Sequence, residues 1–219
     1  MIEVIPAIIP KSQEEIENKL GLVKNFVEKV QIDFVDGKYA PVKTWPFNLE
    51  KESGTKLEIS SKDEILLEGD LMIKHPEDFL DDFLEIGIKS FVIHIGSTKY
   101  LDKCIFHIKE KGLKVGLAIR PSEDSKTLEE YLDKIDFVQF MGNDTVGYNG
   151  VELDRKVLQK ISHFHSAHPF VPIQIDIGVN LKTASELIKA GVTGLVSGSA
   201  VFSDSKVRDN IEKLKYASK

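Results

Sequence analysis

The chain has 219 residues, 42% of them hydrophobic and 29% charged, which suits a folded α/β protein and excludes a disordered one. The formal net charge of −6, spread without a block of Lys or Arg, argues against a broad nucleic-acid-binding surface. Cys104 is the only cysteine, so an internal disulfide is excluded, and no apolar run approaches the roughly 18 residues of a membrane helix, so we expect a soluble cytoplasmic protein.

Eight short apolar runs, rich in Val, Ile and Phe, follow one another along the chain, and each is short enough to be a β-strand. The first run begins near the N-terminus and contains prolines, so it predicts a strand and not a signal peptide. The runs cover residues 3–9, 30–35, 67–73, 90–95, 114–119, 136–141, 171–176 and 193–198.

Amphipathic segments between these runs predict helices. The first opens with Ser12 followed by Glu15, which is the spacing of a capping box. The segment at 42–66 has no pattern that places a helix. The predicted helices cover residues 12–28, 76–86, 98–111, 124–133, 151–166, 180–190 and 203–217, with Gly87, Gly112 and Gly191 at the expected C-caps.

Strands that alternate with helices indicate parallel βαβ units. Eight such strands in this length favour a closed barrel, so we expect a single (β/α)₈ TIM-barrel domain over residues 1–219. A doubly wound open sheet is the alternative. It usually has fewer strands, and the first strand here is not followed by a Gly-x-Gly-x-x-Gly loop.

Carboxylates interrupt three of the apolar runs near their C-terminal ends, at Asp33, Asp70 and Asp176. A buried and unpaired carboxylate costs several kcal/mol, so three at one rim of a barrel need a reason. One hypothesis is acid–base catalysis or metal binding at the barrel mouth, where this fold has its active sites. The alternative is strand-end caps or ion pairs with neighbouring lysines. Because side chains alternate along a strand, Gln31 shares a face with Asp33.

Glycines and a serine follow the seventh and eighth strands, at Gly178, Gly198 and Ser199. Their backbone N–H groups, with the dipole of a short helix expected after the eighth strand, predict a phosphate site. The alternative is that the glycines only permit tight turns. The loop at 142–150 is expected to fold over the same ligand.

Three further polar residues lie at strand ends and allow two interpretations each. His94 ends the fourth strand, where it lines the pocket or is a satisfied core histidine. Arg120 ends the fifth and pairs with a pocket carboxylate or contacts a ligand. Asp36, followed by Gly37, forms a turn or fixes the loop above the pocket.

The segment VQIDFVDGKYAP resembles the ribulose-phosphate 3-epimerase signature His-x-Asp-x-Met-Asp-Gly-x-Phe-x-Pro. The segment DLMIKHPEDFLDDFLEIGIKSFVIHI resembles the next conserved region of that family. The short motifs GLAIRP, DFVQFM, GYNG, IDIGVN and VSGSAVF then follow in the family's order, so the resemblance covers nearly the whole chain.

The resemblance implies an isomerase that moves a proton at C3 of a pentulose phosphate, through an enediolate stabilised by a divalent metal. It gives the two acid–base positions to Asp33 and Asp176. It further implies a phosphorylated sugar as partner and allows a homo-oligomer, because family members often form one. The substrate and phosphate contacts that it implies are Gly147, Gly178, Gly198, Ser199, Met72 and Met141.

The chain departs from the family pattern at the metal site. The two imidazole ligands of the family correspond to Gln31 and Asp70, so the implied ligand set is Gln31, Asp33, Asp70 and Asp176. An all-oxygen set favours magnesium, manganese or calcium over zinc or iron, and the loss of imidazoles also allows no metal at all. Without a metal, at least one carboxyl pKa should rise. No organic cofactor is expected. Ala7 replaces a substrate-contacting serine.

Two other functions stay open. One is an aldolase or decarboxylase reaction that uses magnesium, as in related phosphate-binding barrels. That group's Asp-x-Lys-x-x-Asp motif is absent, because Met72 stands where its lysine would be. The other is a non-catalytic phosphometabolite-binding protein that kept the phosphate site and lost turnover.

Overall fold

The computed structural model describes residues 2–49 and 58–217. Its eight strands are all parallel and close into a barrel in chain order, with β1 paired to both β2 and β8. The predicted closed barrel is therefore confirmed, and the open sheet is not. The strands are β1 (Glu3–Ile8), β2 (Lys29–Val35), β3 (Leu66–Met72), β4 (Ser90–His94), β5 (Lys114–Ile119), β6 (Phe137–Met141), β7 (Ile173–Asp176) and β8 (Gly194–Ser197).

Helices connect most of these strands, and none of those in the described residues is long and apolar enough to cross a membrane. The Ser12 hydroxyl accepts from the Glu15 backbone N–H at 3.2 Å, which confirms the predicted N-cap. Gly191 caps its helix with φ of 114°, as predicted. The helices are α1 (Gln13–Val23), α2 (Leu80–Glu85), α3 (Leu101–Glu110), α4 (Lys156–Ala167), α5 (Ala184–Ala190) and α6 (Val207–Lys215).

The expected helices differ from the observed ones at their ends. Those expected to begin at 98, 151, 180 and 203 begin three to five residues later, at Leu101, Lys156, Ala184 and Val207. The first helix of the chain ends at Val23, five residues early, because the chain tightens into a turn in which the Phe26 N–H donates to the Val23 carbonyl. The segment expected as a helix over 124–133 is a 3₁₀-helix, Ser125–Tyr131, opened by an Asp124 side chain that accepts from Lys126 N. A 3₁₀-helix, Pro76–Asp78, precedes α2. Within 42–66, the residues that the structure describes form mainly turns. The rest of that segment, 50–57, is not among the described residues.

The apolar core lies between the barrel and its helices. Outward-facing strand residues such as Ile32 and Phe34 are fully buried there, against helix residues such as Leu20 and Phe83. The alternate residues of each strand face the barrel interior, and many of these are polar. The fold therefore separates an apolar layer outside the strands from a polar column inside them.

The lower part of this column is a network around Glu68. Its carboxylate is fully buried and accepts from Lys29 Nζ at 3.0 Å, from Ser90 Oγ at 2.7 Å and from Gln174 Nε2 at 3.0 Å. Lys29 is itself mostly buried, with 12% of its side chain exposed. The network satisfies a charge that would otherwise be costly inside the barrel.

We expect Glu68→Ala to destabilise the protein by about 3–5 kcal/mol, because it leaves the mostly buried Lys29 ammonium with only the more distant Glu3 carboxylate, at 3.8 Å, as a charged partner. Glu64→Ala is the matched control, since Glu64 pairs with Lys24 at the surface and 55% of its side chain is exposed; its loss should cost under about 1 kcal/mol. Urea unfolding followed by circular dichroism measures both. Equal losses in the two variants would show that the Glu68 network does not stabilise the barrel.

Candidate active site

Three aspartates meet at the C-terminal mouth of the barrel, as the sequence predicts. Asp33, Asp70 and Asp176 each offer a carboxylate oxygen, and these oxygens lie within 4.8 Å of one another. Their exposed fractions are 3%, 0% and 8%. Among the described residues, no lysine or arginine forms an ion pair with any of the three. We call this group the acidic triad; the alternative of lysine-paired strand ends is wrong.

Asp70 has the most complete set of hydrogen bonds in the triad. Its Oδ1 lies 2.7 Å from Nε2 of His94, and its Oδ2 accepts from Nε2 of Gln139 at 2.9 Å. Both partners are buried, His94 on β4 and Gln139 on β6. Of the two interpretations of His94, that of a buried histidine with a hydrogen-bond partner describes its Nε2 atom. That partner is Asp70, a member of the acidic triad.

Asp33 and Asp176 have fewer donors. The Gln31 side-chain amide donates to Asp33 Oδ1 at 2.8 Å, and the Ile177 backbone N–H donates to Asp176 Oδ1 at 2.8 Å. Burial and the charges of Asp176 and Asp70 raise the pKa of Asp33 well above its ordinary value. Burial, with the charge of Asp70, raises the pKa of Asp176 to about 7. Repulsion among close carboxylates therefore acts as the sequence predicts.

The site contains more acceptors than donors. Besides the triad, the side-chain oxygens of Gln31 and Gln139 are buried and have no hydrogen-bond partner in the part of the chain described. An ordinary core would supply donors to such groups. The converging carboxylate oxygens of the triad fit a hard divalent cation, and the unpartnered side-chain oxygen of Gln31 is a further oxygen of the kind that such a cation prefers.

A groove beside the triad is lined by the residues predicted to bind phosphate. Gly147, Gly178, Gly198 and Ser199 form part of its wall together with Asp33 and Asp176. Gly178 has φ of +75°, and a Cβ there would lie 2.6 Å from a backbone nitrogen of the facing loop. A Cβ on Gly198 would lie 2.8 Å from a carbonyl oxygen. Both positions therefore require glycine, because other segments of the chain pack closely against them. We call these four residues the glycine groove.

Two expectations about this region need correction or refinement. No helix follows β8 directly. Phe202 N–H donates to Gly198 O at 3.0 Å in a single turn, and Asp204 accepts from Lys206 N so that α6 begins only at Val207. The predicted help from a helix dipole at this end of the groove is therefore wrong. Met72 and Met141 lie in an apolar cluster inside the barrel and do not line the groove.

Sequence reasoning missed two residues of the site. Gln139 lies in the middle of a strand that is otherwise apolar. A polar residue inside an apolar run is the same pattern that indicated Gln31. The Tyr39 ring lies over His94, with 5.0 Å between ring centroids, and no periodicity predicts that contact. Arg120 contacts neither a triad carboxylate nor any other acid by an ion pair in the described chain; its guanidinium lies 4.3 Å from the Tyr39 ring centroid.

A closed parallel barrel with buried carboxylates at its C-terminal mouth and a glycine groove beside them is an arrangement typical of phosphate-binding α/β barrels that carry out acid–base chemistry. Comparison with known sequences is more specific. The sequence model of the ribulose-phosphate 3 epimerase family matches residues 3–202. The chain belongs to that family, and its predicted membership is confirmed.

Individual relatives agree with the family match. The chain is 28% identical to a ribulose-phosphate 3-epimerase of Bacillus subtilis, over 98% of this chain and 99% of that one. It is 24% identical to the ribulose-phosphate 3-epimerase of Schizosaccharomyces pombe, over 91% and 86% of the two chains. The structure is similar to a crystal structure of 3-hexulose-6-phosphate synthase from Salmonella typhimurium, with a TM-score of 0.72 and 15% sequence identity. The match covers 99% of this chain and 98% of that one. That likeness shows the fold alone.

We expect the metal-free protein to lose stability as pH rises from about 4 to about 7. Asp176 holds a proton in the folded state up to about pH 7, whereas in the unfolded chain it loses that proton near its ordinary pKa of 3.8. Unfolding therefore releases a proton in this window, and folding becomes less favourable by up to about 4 kcal/mol as pH rises. Urea unfolding in EDTA at pH 5 and pH 8 measures the part of this loss that falls above pH 5, about 2–3 kcal/mol.

Asp176→Asn should flatten this pH dependence, because the amide carries no charge at either pH. Asp133→Asn is the control, since Asp133 is exposed and far from the triad in the chain. A wild-type protein equally stable at both pH values would contradict the raised pKa.

Proposed function

We propose that the chain is an isomerase of the ribulose-phosphate 3-epimerase type, with residues 1–219 acting as one phosphate-binding barrel domain. The observation that carries the proposal is the placement of Asp33 and Asp176 on the wall of the glycine groove. A sugar phosphate held by backbone N–H groups at Gly147, Gly178, Gly198 and Ser199 brings its carbon chain beside these two carboxylates.

The acid–base chemistry follows from the two aspartates. One carboxylate removes the proton from C3 of the ketose, and the electron pair moves to form an enediolate between C2 and C3. The other carboxyl group returns a proton to the opposite face of C3, which inverts that centre and restores the ketone. One group must be ionised while the other is protonated. Burial and neighbouring carboxylate charge raise the pKa of both groups, that of Asp176 to about 7, which favours retention of a proton at this pair near neutral pH.

We further propose that Gln31, Asp33, Asp70 and Asp176 hold a divalent cation, with magnesium, manganese or calcium favoured over zinc or iron. The support is the donor set itself, since amide and carboxylate oxygens suit hard cations and no imidazole is presented as a free ligand. When bound, such an ion supplies positive charge beside the oxygens of the enediolate. His94 does not join this set, because its Nε2 is committed to Asp70.

The test is conversion of ribulose 5-phosphate to its C3 epimer, with each metal added back to EDTA-treated protein. Asp33→Asn and Asp176→Asn should each lower kcat at least about 100-fold, because each removes a proton-transfer group. Asp133→Asn, at an exposed position, should leave kcat unchanged. Absence of turnover with every metal would overturn the proposed activity.

A separate variant tests phosphate recognition by the glycine groove. Ser199→Asp adds a negative charge to the glycine groove and should raise KM for the sugar phosphate about tenfold or more, with a smaller effect on kcat. Ser205→Asp adds the same charge at an exposed position that does not line the groove. Equal KM values in the two variants would place the phosphate elsewhere.

A non-catalytic sugar-phosphate binder is the second candidate. The replacements at Ala7, Gln31 and Asp70 favour it, because they alter the family's ligands while the glycine groove persists. Ribulose 5-phosphate that raises the Tm without being converted, in the presence of each metal, would support this function. An aldolase or decarboxylase reaction gains no support, since the likeness to such barrels shows only the fold. A cytoplasmic location and a homo-oligomer stay predictions.

A further inference from the structure

A stack of side chains connects the barrel mouth with the deepest member of the acidic triad. The Arg120 guanidinium lies 4.3 Å from the Tyr39 ring centroid, and the Tyr39 ring lies 5.0 Å from that of His94 at an interplanar angle of 55°. His94 Nε2 then lies 2.7 Å from Asp70 Oδ1. His94 is 1% exposed and Asp70 is fully buried, so this contact is shielded from water.

The 2.7 Å separation is a hydrogen-bond distance, and the pair that suits these two groups is an imidazole Nε2–H that donates to a carboxylate oxygen of Asp70. The other ring nitrogen, Nδ1, is buried and has no partner among the described residues. Among the described residues, the only polar contact of the His94 ring is therefore the one with Asp70.

The His94 ring is held from its outer side. Tyr39, which covers it, is anchored through its backbone N–H, which donates to Asp36 Oδ1 at 2.9 Å. The second oxygen of Asp36 accepts from Lys74 N at 2.9 Å, just beyond the end of β3. Both interpretations of Asp36 thus hold, because it forms the turn and fixes the loop. The Tyr39 hydroxyl has no hydrogen-bond partner in the described chain, so its ring provides the contact.

The Asp70 carboxylate is oriented by two donors from different strands. His94 on β4 holds one oxygen and Gln139 on β6 holds the other at 2.9 Å. Asp70 is shorter than the histidine that the family pattern has at this position, so its orientation depends on such contacts. Groups that hydrogen-bond a metal ligand commonly set its geometry and affinity.

We propose that His94 is a positioning residue, whose Nε2–H holds the Asp70 carboxylate in the orientation in which it joins Asp33 and Asp176 around a divalent cation. The Tyr39 ring keeps the imidazole in place for this contact. The inference rests on the cation site of the proposed function, and it adds a residue that the site requires in this chain because a carboxylate has replaced an imidazole.

The experiment measures Mn²⁺ binding to the intact protein by electron paramagnetic resonance titration, independently of turnover. His94→Leu removes the donor and should weaken Mn²⁺ binding about 10–100-fold, whereas His94→Gln keeps an N–H at a similar reach and should stay within about threefold of wild type. Circular dichroism and thermal unfolding in EDTA show whether each variant is folded. Equal Mn²⁺ affinity in wild type and folded His94→Leu overturns the inference, and so does His94→Gln that binds as weakly as His94→Leu.

If His94→Leu does not fold, two variants of Tyr39 test the inference in its place. Tyr39→Ala uncovers the His94 ring and should weaken Mn²⁺ binding, whereas Tyr39→Phe keeps the ring and should bind as wild type does. Equal affinities in these two variants overturn the inference. Wild-type protein that binds no Mn²⁺ overturns it together with the cation site, and the separate epimerase assay then shows whether the proposed activity survives. Wild-type turnover with unchanged Mn²⁺ binding in His94→Leu removes only the role of His94.

Discussion

Mutual repulsion of three buried carboxylates is the constraint on which the rest of this site depends. Each of them loses most of its hydration at the barrel mouth, and each adds an unfavourable charge to the other two. Among the described residues no lysine or arginine forms an ion pair with any of the three. The charge must be relieved by protonation or by a cation, and both are what an acid–base site with a divalent ion requires.

The parallel barrel creates this constraint through its register. Asp33 pairs with Asp70 across β2 and β3, so the two carboxylates are neighbours at the same height. Asp176 ends β7 and reaches the same height from the other side of the barrel. Alternation of side chains then turns all three inward. The β-strands are stable because their outward faces bury a continuous apolar layer, and that layer allows the interior column to be polar.

The sequence predicts the strands well and the connections less well. Runs of Val, Ile and Phe bounded by polar turns define each strand to within one or two residues, because a buried parallel strand has little freedom in composition. The triad follows from the same reasoning, since Asp33, Asp70 and Asp176 interrupt such runs at the end where this fold binds ligands. Helix ends depend on weaker local bonds, as the early end of α1 at Val23 shows.

The contacts that the sequence does not predict join residues distant in the chain. Tyr39 is in a loop after β2 and His94 ends β4, so their stacking depends on where the Asp36 turn directs the chain. Gln139 can be recognised in the sequence as a polar residue inside an apolar strand, but its partner Asp70 is 69 residues away along the chain. Periodicity gives the face on which a side chain lies, and it does not give which side chain lies opposite.

If Gln31 and Asp70 stand in place of two imidazoles, as the resemblance implies, the charge balance of the site changes. Two neutral imidazoles with two carboxylates carry about two negative charges, whereas an amide with three carboxylates carries about three when all are ionised. A stronger negative site attracts a hard cation more strongly, and it also costs more when the cation is absent. Protonation of Asp33 and Asp176 lowers that cost, as their raised pKa values indicate. The hydrogen bonds from His94 and Gln139 lower it further at Asp70, the one aspartate with both oxygens occupied by side-chain donors from other strands. His94 and Gln139, which would orient Asp70 as a ligand of the proposed cation, therefore also stabilise its carboxylate by themselves.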